Sequence, residues 1–222
     1  MSTLDEINEK TTKCKLCHRL SAYIEFVGQT KVKRFMNESY WSKPIPSYGD
    51  PKASLLIIGL APAAHGGNRT GRLFTGDSSG DWLAKALHET GFANKPTSIS
   101  KNDGYVLINT YVTAVVKCAP PDNSPSSIEI SNCSRYLQKE INLLESSTKV
   151  IIKLGKLAFD NYCKISNKKR LLFSHKATYH LENGKTLIAS YHPSRRNTNT
   201  GTLTWDMWIN IFKIAKSLII NQ

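Results

Sequence analysis

The sequence predicts an α/β fold: a three-layer α/β/α sandwich around a central, mostly parallel sheet of four strands. Two observations lead to this prediction. Short apolar runs, typical of strands buried on both faces, alternate along the chain with longer segments whose apolar residues recur at intervals of three and four. A chain of 222 residues also suffices for one full hydrophobic core, so we expect a single domain over residues 1–222.

The first predicted strand leads into the most unusual loop of the chain. The apolar run 55–58, LLII, is followed directly by the segment 59–77, GLAPAAHGGNRTGRLFTGD. In open α/β sheets, ligands bind at the carboxyl edge that such a loop leaves. The glycines of the loop allow its backbone to approach a flat or anionic ligand closely. The expected ligand is a nucleobase or a phosphate.

Two common phosphate-binding motifs do not fit this loop. Gly66 and Gly71 have the spacing of a P-loop, but Arg72 and Leu73 stand where Lys and Ser or Thr are required. The loop does not contain the pattern G-x-G-x-x-G either. Nucleotide hydrolysis and dinucleotide binding are therefore disfavoured.

The remaining elements continue the alternation of strands and helices. Apolar periodicity predicts helices over 79–90, 130–144, 156–163 and 205–219 and strands over 105–116, 149–154 and 186–190. Asp77 or Ser78 would cap the first of these helices, which is the structural alternative to a chemical role for Asp77. Two of the strands end in polar loops, one with Asn123 and one with the segment 191–201, YHPSRRNTNTG. Both loops are expected at the same sheet edge as the loop 59–77.

The segment 20–50 shows no clear periodicity. It combines several basic residues with Trp41, Pro44 and Pro46. Segments of this composition usually connect elements, so we interpret it as a connector that packs across the surface and forms no domain of its own.

The charge balance indicates a polyanionic partner. Thirty Lys and Arg residues stand against 17 Asp and Glu residues, a net charge of +13, which attracts nucleic acid first and an anionic membrane second. The chain shows no signal-peptide pattern, and no run approaches the roughly 20 apolar residues that span a bilayer. We expect a soluble, cytoplasmic protein without membrane association.

The cysteines suggest a metal centre. Cys14 and Cys17 form a C-x-x-C pair, and Cys118 and Cys133 offer a second pair. Five cysteines, an odd number without an export signal, argue against a disulfide framework. Four thiolates suit tetrahedral zinc and a four-iron cluster equally well by count. The fifth, Cys163, is interpreted as a core residue.

Three sets of residues together carry a resemblance to a known family: the loop 59–77, the loop 191–201 and the four cysteines just described. The chain resembles the uracil-DNA glycosylase superfamily, most closely its family 5, the type B enzymes of thermophilic archaea and bacteria. The resemblance implies the glycosylase-like α/β/α fold and the excision of deaminated bases from DNA. It also implies that Cys14, Cys17, Cys118 and Cys133 hold a structural 4Fe-4S cluster, to which the N-terminal C-x-x-C segment contributes.

The sequence departs from the related family 4 at two places. Those enzymes carry an acidic residue directly after the first motif glycine and an Asn before the segment VVKC. Here the positions hold Leu60 and Ala114, with Ala61 next in the loop as a substrate-binding position. Resemblance to family 5 transfers the acidic role to Asp77. Without the uracil-reading Asn, specificity is expected to loosen, so hypoxanthine and xanthine are candidate second substrates.

The same likeness gives roles to further residues, and these roles suit the chemistry. Cleavage of an N-glycosidic bond leaves positive charge on the sugar and negative charge on the departing base. Asp77 would hold the attacking water and offset the cationic sugar, with Asn123 orienting that water. His192 would donate a hydrogen bond to the departing base, with Asn197 nearby. Independently of the resemblance, Phe74 is the candidate to stack on the extruded base, and a position in the hydrophobic core is the alternative for this residue.

Basic residues in the two loops are the candidates for contacts to DNA. Arg195, Arg196 and Asn197 are expected to enter the minor groove, and Arg69 and Arg72 to face phosphates. The expected partner is double-stranded DNA with deaminated bases. A sliding clamp is a further candidate partner, and the chain is expected to be a monomer.

The leading hypothesis is thus a monofunctional DNA glycosylase. No lysine of the two loops stands in a nucleophile setting, so strand cleavage by Schiff-base chemistry is not expected. The main alternative is a non-catalytic iron-sulfur or zinc nucleic-acid-binding module, in which Asp77 only caps a helix. A third alternative is a nucleotide-binding protein whose fold is stabilised by zinc.

Overall fold

The computed structural model describes residues 3–167 and 171–221. At its centre lies a six-stranded sheet with the order β1-β3-β2-β4-β6-β5. In chain order the strands are β1 (Tyr48–Gly49), β2 (Leu55–Gly59), β3 (Thr110–Ala114), β4 (Val150–Leu154), β5 (Thr178–His180) and β6 (Thr186–Ser190). The four inner strands are mutually parallel and buried along their whole length, whereas β1 and β5 pair antiparallel at the two edges.

Eight helices surround the sheet in the described residues. They are α1 (Leu4–Thr12), α2 (His18–Thr30), α3 (Gly67–Thr70), α4 (Ser78–Glu89), α5 (Ser127–Leu143), α6 (Lys156–Ile165), α7 (Arg195–Asn199) and α8 (Trp205–Ile220). Side-chain caps fix several starts: Thr3 and Ser126 each form a capping box, and Asp77 and Thr204 each accept a hydrogen bond from a backbone N–H of the first turn. Within the described part of the chain, none of these helices has the length and apolarity needed to cross a membrane.

The sheet separates two hydrophobic cores. Alternate residues of each strand face opposite sides, so Leu55 and Ile57 of β2 join one core while Leu56 and Ile58 join the other. The first core is closed by α4 and α8, with Trp208 fully buried in it. The second is closed by helices that include α2, α5 and α6. The result is the predicted α/β/α layering.

The inner part of the sheet confirms the predicted fold class, and its margins correct two details. Six strands are present in the described residues where four were predicted, because β1 and β5 have only two and three residues and are too short to show a period. The inner strand β3 is also shorter than the predicted strand 105–116, since only Thr110–Ala114 pairs in the sheet.

The interpretation of 20–50 as a connector was wrong at its start. Residues 18–30 form α2, which buries Leu20, Ile24 and Val27 at helical spacing. The start of this helix has no side-chain cap. The usual start signal was therefore missing, and burial of one apolar face against the second core holds the helix in place.

The winding of the chain places three loops together. The chain passes from β2 to its neighbour β3 on one side and then to β4 on the other side of β2. Such a reversal opens a crevice at the carboxyl edge of the sheet, where ligands of α/β proteins bind. The loops that follow β2, β3 and β6 all leave the sheet at this edge.

Candidate active site

A cleft of about 540 Å³ opens at this edge. The loop after β2, the first turn of α4, the turn at Asn123 and the loop after β6 form its walls. Six of the residues predicted from the sequence line it: Ala61, Phe74, Asp77, Asn123, His192 and Arg195. Its volume lies within the usual range of small-ligand sites, and most of its surface is apolar with a few convergent polar groups.

Asp77 has both of the roles that the sequence left open. It is the N-cap of α4, where its Oδ1 accepts a hydrogen bond of 2.9 Å from the N–H of Gly80, and it also lines the cleft. Burial is the main cause that raises the pKa of Asp77 above its usual value of 3.8, and the neighbouring Asp81 adds to this, while backbone donors and Arg69 oppose it. A partly desolvated carboxylate of this kind is suited to accept a proton.

Phe74 is held in a strained conformation at the base of the cleft. Its φ of 49° lies in the left-handed region, which is costly for an aromatic residue and occurs mainly where function requires it. The ring packs over Gly59, because a Cβ at that position would be only 2.7 Å from Cζ of Phe74. On the cleft side, the ring centroid lies 6.1 Å from that of His192, with 33° between the planes.

His192 is an uncharged histidine at neutral pH. Burial lowers its pKa from 6.5 to about 4. It lies two residues after the end of β6, so the strand fixes where the backbone of His192 begins its loop. A neutral imidazole can donate one hydrogen bond without giving up a full proton.

Two hydrogen bonds keep the His192 loop in place. Oγ of Ser79, in the first turn of α4, donates to the carbonyl of Pro193 at 3.0 Å. Nδ2 of Asn197 donates to the carbonyl of His192 at 2.9 Å. The first bond joins the helix that Asp77 caps to the loop that carries His192. Asn197 was predicted to lie near the base, but it is not among the residues that line the cleft. Its hydrogen bond positions the backbone of His192 instead.

The remaining predicted polar residues lie near the mouth of the cleft. Asn123 is exposed, and its φ of 54° is in the left-handed region that Asn tolerates. Arg195 and Arg196 are exposed in the first turn of α7, and of the two only Arg195 lines the cleft.

The predicted phosphate contacts of Arg69 and Arg72 do not fit the structure. Both side chains are buried, with 8% and 6% of their surfaces exposed. Arg69 forms an ion pair with Glu38 and donates to the carbonyls of His65 and Gly76, each at 2.9 Å. A guanidinium that is buried and neutralised in this way braces the loop and is not available to DNA.

Arg72 is satisfied in the same manner. Its Nη2 lies 2.9 Å from both carboxylate oxygens of Asp103, and it also donates to Ser98 at 2.8 Å. Burial would raise the pKa of Asp103, but backbone N–H donors and the Arg72 guanidinium together hold it well below 3.8. Arg72 therefore anchors the loop 59–77 to the segment around Asp103.

Two basic side chains of the cleft were not among the predicted site residues. Arg34 and His65 both line it. His65 stands inside the loop 59–77 and could have been found there as the histidine of the motif. Arg34 lies in the segment interpreted as a connector, and no local pattern distinguishes it from the neighbouring basic residues.

The four predicted metal ligands meet at one place away from the cleft. Cys14, Cys17, Cys118 and Cys133 line a single small pocket between α2 and α5. Burial is the main cause that raises the pKa of Cys133 to about 11 and that of Cys118 further, and in both cases the neighbouring thiols add to the shift. In residues 3–167 and 171–221, no three His, Cys, Asp or Glu side chains are close enough to share one metal ion.

Four thiols that line one pocket supply the donors that either a tetrahedral zinc ion or a four-iron cluster requires. Cys163 lies outside this pocket and is half-buried at the edge of the second core.

Comparison with known proteins gives a consistent result. A family model described as the uracil DNA glycosylase superfamily matches residues 46–214. The chain is 44% identical over 209 residues to a type-5 uracil-DNA glycosylase of Thermus thermophilus, with 93% of this chain and 94% of the relative covered. It is 41% identical over 219 residues to that of Mycobacterium leprae, with coverages of 97% and 96%. For the corresponding protein of Pyrobaculum aerophilum the identity is 40% over 211 residues, with coverages of 95% and 91%.

Proposed function

The chain belongs to the uracil-DNA glycosylase superfamily, and from this membership we propose that it hydrolyses the N-glycosidic bond of uracil in DNA and leaves an abasic site. Its similarity to type-5 members extends over nearly the whole chain. The observation that carries the proposal is the convergence of Asp77 and His192, from loops far apart in sequence, on one cleft.

The first step is eversion of the nucleotide into the cleft. Unstacking costs a few kcal/mol, and least for a mispaired base such as uracil opposite guanine. The strained Phe74 offers its ring as a stacking surface for the base. Arg195 and Arg196, which are exposed beside the cleft, contact the DNA from the His192 loop.

The chemical step needs charge stabilisation on both sides of the breaking bond. As the bond lengthens, the Asp77 carboxylate offsets the developing positive charge of the sugar and accepts a proton from the attacking water. Asn123, at the mouth of the cleft, orients this water. The neutral His192 donates a hydrogen bond to the oxygen on which the departing base collects negative charge.

We extend the proposal to other deaminated bases. Ala61, Ala63 and Ala64 line the cleft, and their side chains cannot read a base edge by hydrogen bonding. The cleft also has room for a bicyclic base. Hypoxanthine and xanthine are therefore expected as substrates beside uracil, with rates measured on duplexes that carry each base opposite its usual partner.

The four cysteines are proposed to hold a 4Fe-4S cluster. When bound, such a cluster has a structural role, since it ties the N-terminal segment with Cys14 and Cys17 to Cys118 after β3 and Cys133 on α5. The pocket lies apart from the cleft, and the residues that line the two sites do not overlap.

The proposal is tested by the products formed from a duplex with one U·G mismatch. We expect free uracil, detected by mass spectrometry, and an abasic strand that stays intact until it is treated with alkali. If the folded protein binds the duplex but releases no base, it is the non-catalytic binding module instead. Strand breakage without alkali would contradict the monofunctional assignment.

A further inference from the structure

The cleft has a basic corner that the proposed mechanism does not use. Arg34, in the turn Lys33–Phe35, and His65, in the loop after β2, line it together. Arg34 is exposed at the mouth, while His65 is half-buried. Burial first, and then the guanidinium groups of Arg34 and Arg69, lower the pKa of His65.

Tyr40 positions the ring of His65. Its hydroxyl oxygen lies 3.0 Å from Nδ1 of His65. When the hydroxyl donates this hydrogen bond, the neutral imidazole accepts at Nδ1 and carries its own proton on Nε2. In this tautomer the second nitrogen of His65 is a hydrogen-bond donor.

Arg34 is held in place by stacking. Its Cζ lies 4.4 Å from the ring centroid of Phe35, and Cζ of the buried Arg69 lies 3.8 Å from the same centroid. Both guanidinium groups are thus within cation–π distance of the same ring. Because Arg69 also donates to the carbonyl of His65, one buried arginine positions both members of the corner.

Within the described residues, the charge of Arg34 is not neutralised by an ion pair. Glu38 pairs with Arg69, whereas no carboxylate stands within ion-pair distance of Arg34 in the part of the chain that the structure describes. An exposed, ordered guanidinium beside a neutral N–H donor is a site for an anion. When a base fills the cleft, the anion at its mouth is the sugar-phosphate backbone.

We propose that Arg34 and His65, with Tyr40 as a positioning residue, bind a phosphate that flanks the everted nucleotide. The inference rests on the proposed function, since it names the part of the substrate that this corner takes. Arg34 would thus make the phosphate contact that was predicted for Arg69, which is buried and cannot make it. A contact of His65 to the base itself is the alternative that the test must separate.

The test replaces single phosphates of a U·G duplex by uncharged methylphosphonates, one position at a time, and measures uracil release. For the wild type we expect one flanking position at which kcat/KM falls about 10- to 100-fold, mostly through KM, as for loss of a charge-assisted hydrogen bond. Arg34→Ala and His65→Ala should show a similar fall on the natural duplex and little further fall on the modified one. Arg34→Ala should also reduce the slope of log affinity against log salt by about one.

Two variants guard against a purely structural explanation. Tyr40→Phe keeps the ring but frees Nδ1 of His65, so it should give an intermediate loss and an intermediate methylphosphonate effect. Lys33→Ala removes an exposed positive charge next to Arg34 that does not line the cleft, and its methylphosphonate effect should equal that of the wild type.

The inference is overturned if the wild type releases uracil and the methylphosphonate effect remains undiminished in both Arg34→Ala and His65→Ala. The same holds if His65→Ala changes the ratio of uracil to hypoxanthine release and leaves the methylphosphonate effect intact, which would indicate contact with the base. Failure of the proposed function is distinct, because the wild type would then release no base from any duplex.

Discussion

Gly66 and Asp77 are in direct contact: a Cβ built on Gly66 would lie 1.8 Å from Oδ2 of Asp77. The loop 59–77 therefore folds back so that its middle supports the carboxylate at its end. Any side chain at position 66 would clash with the Asp77 carboxylate in its present position. This close approach requires a glycine at position 66.

Gly66→Ala should therefore inactivate the protein without unfolding it. The methyl group displaces the carboxylate by an ångström or more, and misplacement of a catalytic group on this scale costs about 100-fold in rate. Single-turnover uracil release measures the effect.

Gly184→Ala is the control, because Gly184 has a φ of 78° and open space around it. It should lose about 1 kcal/mol of stability and keep its activity. Equal activity of the two variants would contradict the account.

The folded protein should lose stability as the pH falls from about 6.5 towards 4. Burial lowers the pKa of His192 from 6.5 to about 4, so between these values the unfolded chain binds more protons than the folded one. The contribution is fully present above the unfolded pKa and is lost below the folded one. It amounts to at most about 3 kcal/mol.

Urea unfolding at several pH values measures this loss. His192→Gln should flatten the curve in this window, while the exposed His88→Gln should leave it unchanged. The interpretation fails if both variants follow the wild-type curve.

Lys153→Met should stabilise the protein by about 1 to 3 kcal/mol. Lys153 is fully buried on β4, and its Nζ has no hydrogen-bond partner in the described structure. Burial lowers the pKa of Lys153 well below 10.5, so below pH 10.5 the unfolded chain binds more protons than the folded one. The stability of the wild type should therefore rise with pH up to about 10.5, and the Met variant should lack this rise.

Lys185→Met is the matched control for this prediction. Nζ of Lys185 is also buried but donates to the carbonyls of Thr148, at 2.9 Å, and Glu145. Removing it leaves these carbonyls without a donor, so the variant should be destabilised. Thermal unfolding of both proteins gives the comparison, and a Lys153→Met protein less stable than the wild type would refute the prediction.

The cysteine pocket should bind iron, and the fifth cysteine, Cys163, should not be required for this binding. Protein purified without oxygen is expected to be brown with broad visible absorption, and Cys118→Ser should lose both the colour and part of the thermal stability. Cys163→Ser should retain the colour. Iron and zinc analysis of the purified protein identifies the metal, and stoichiometric zinc in a colourless wild type would contradict the cluster.

The inner sheet and the core of the cleft were predictable because both follow from local patterns. Each inner strand lies in a run of apolar and β-branched residues, and the loops that hold Asp77 and His192 follow β2 and β6. Parallel strands bring such loops to one edge whatever their separation in sequence. The presence of both residues at one cleft could therefore be expected before any coordinates, whereas their chemical roles are implied only by the family resemblance.

The roles of the arginines could not be predicted, because they depend on partners distant in the chain. Arg69 pairs with Glu38, and Arg72 pairs with Asp103. In the sequence, each arginine stands in a glycine-rich loop beside the expected ligand and could contact DNA. In the structure, each pairs with an acidic residue some thirty residues away, and no local sequence pattern indicates this pairing.

The central claim is that Asp77 acts chemically and does not merely cap α4, and Asp77→Asn tests it most directly. Asn is as good an N-cap as Asp, so the variant should unfold at nearly the wild-type temperature. It lacks the charge and the proton acceptor, so uracil release from a U·G duplex should fall by about 100- to 10,000-fold. Near wild-type release by this folded variant would show that the carboxylate serves the helix alone.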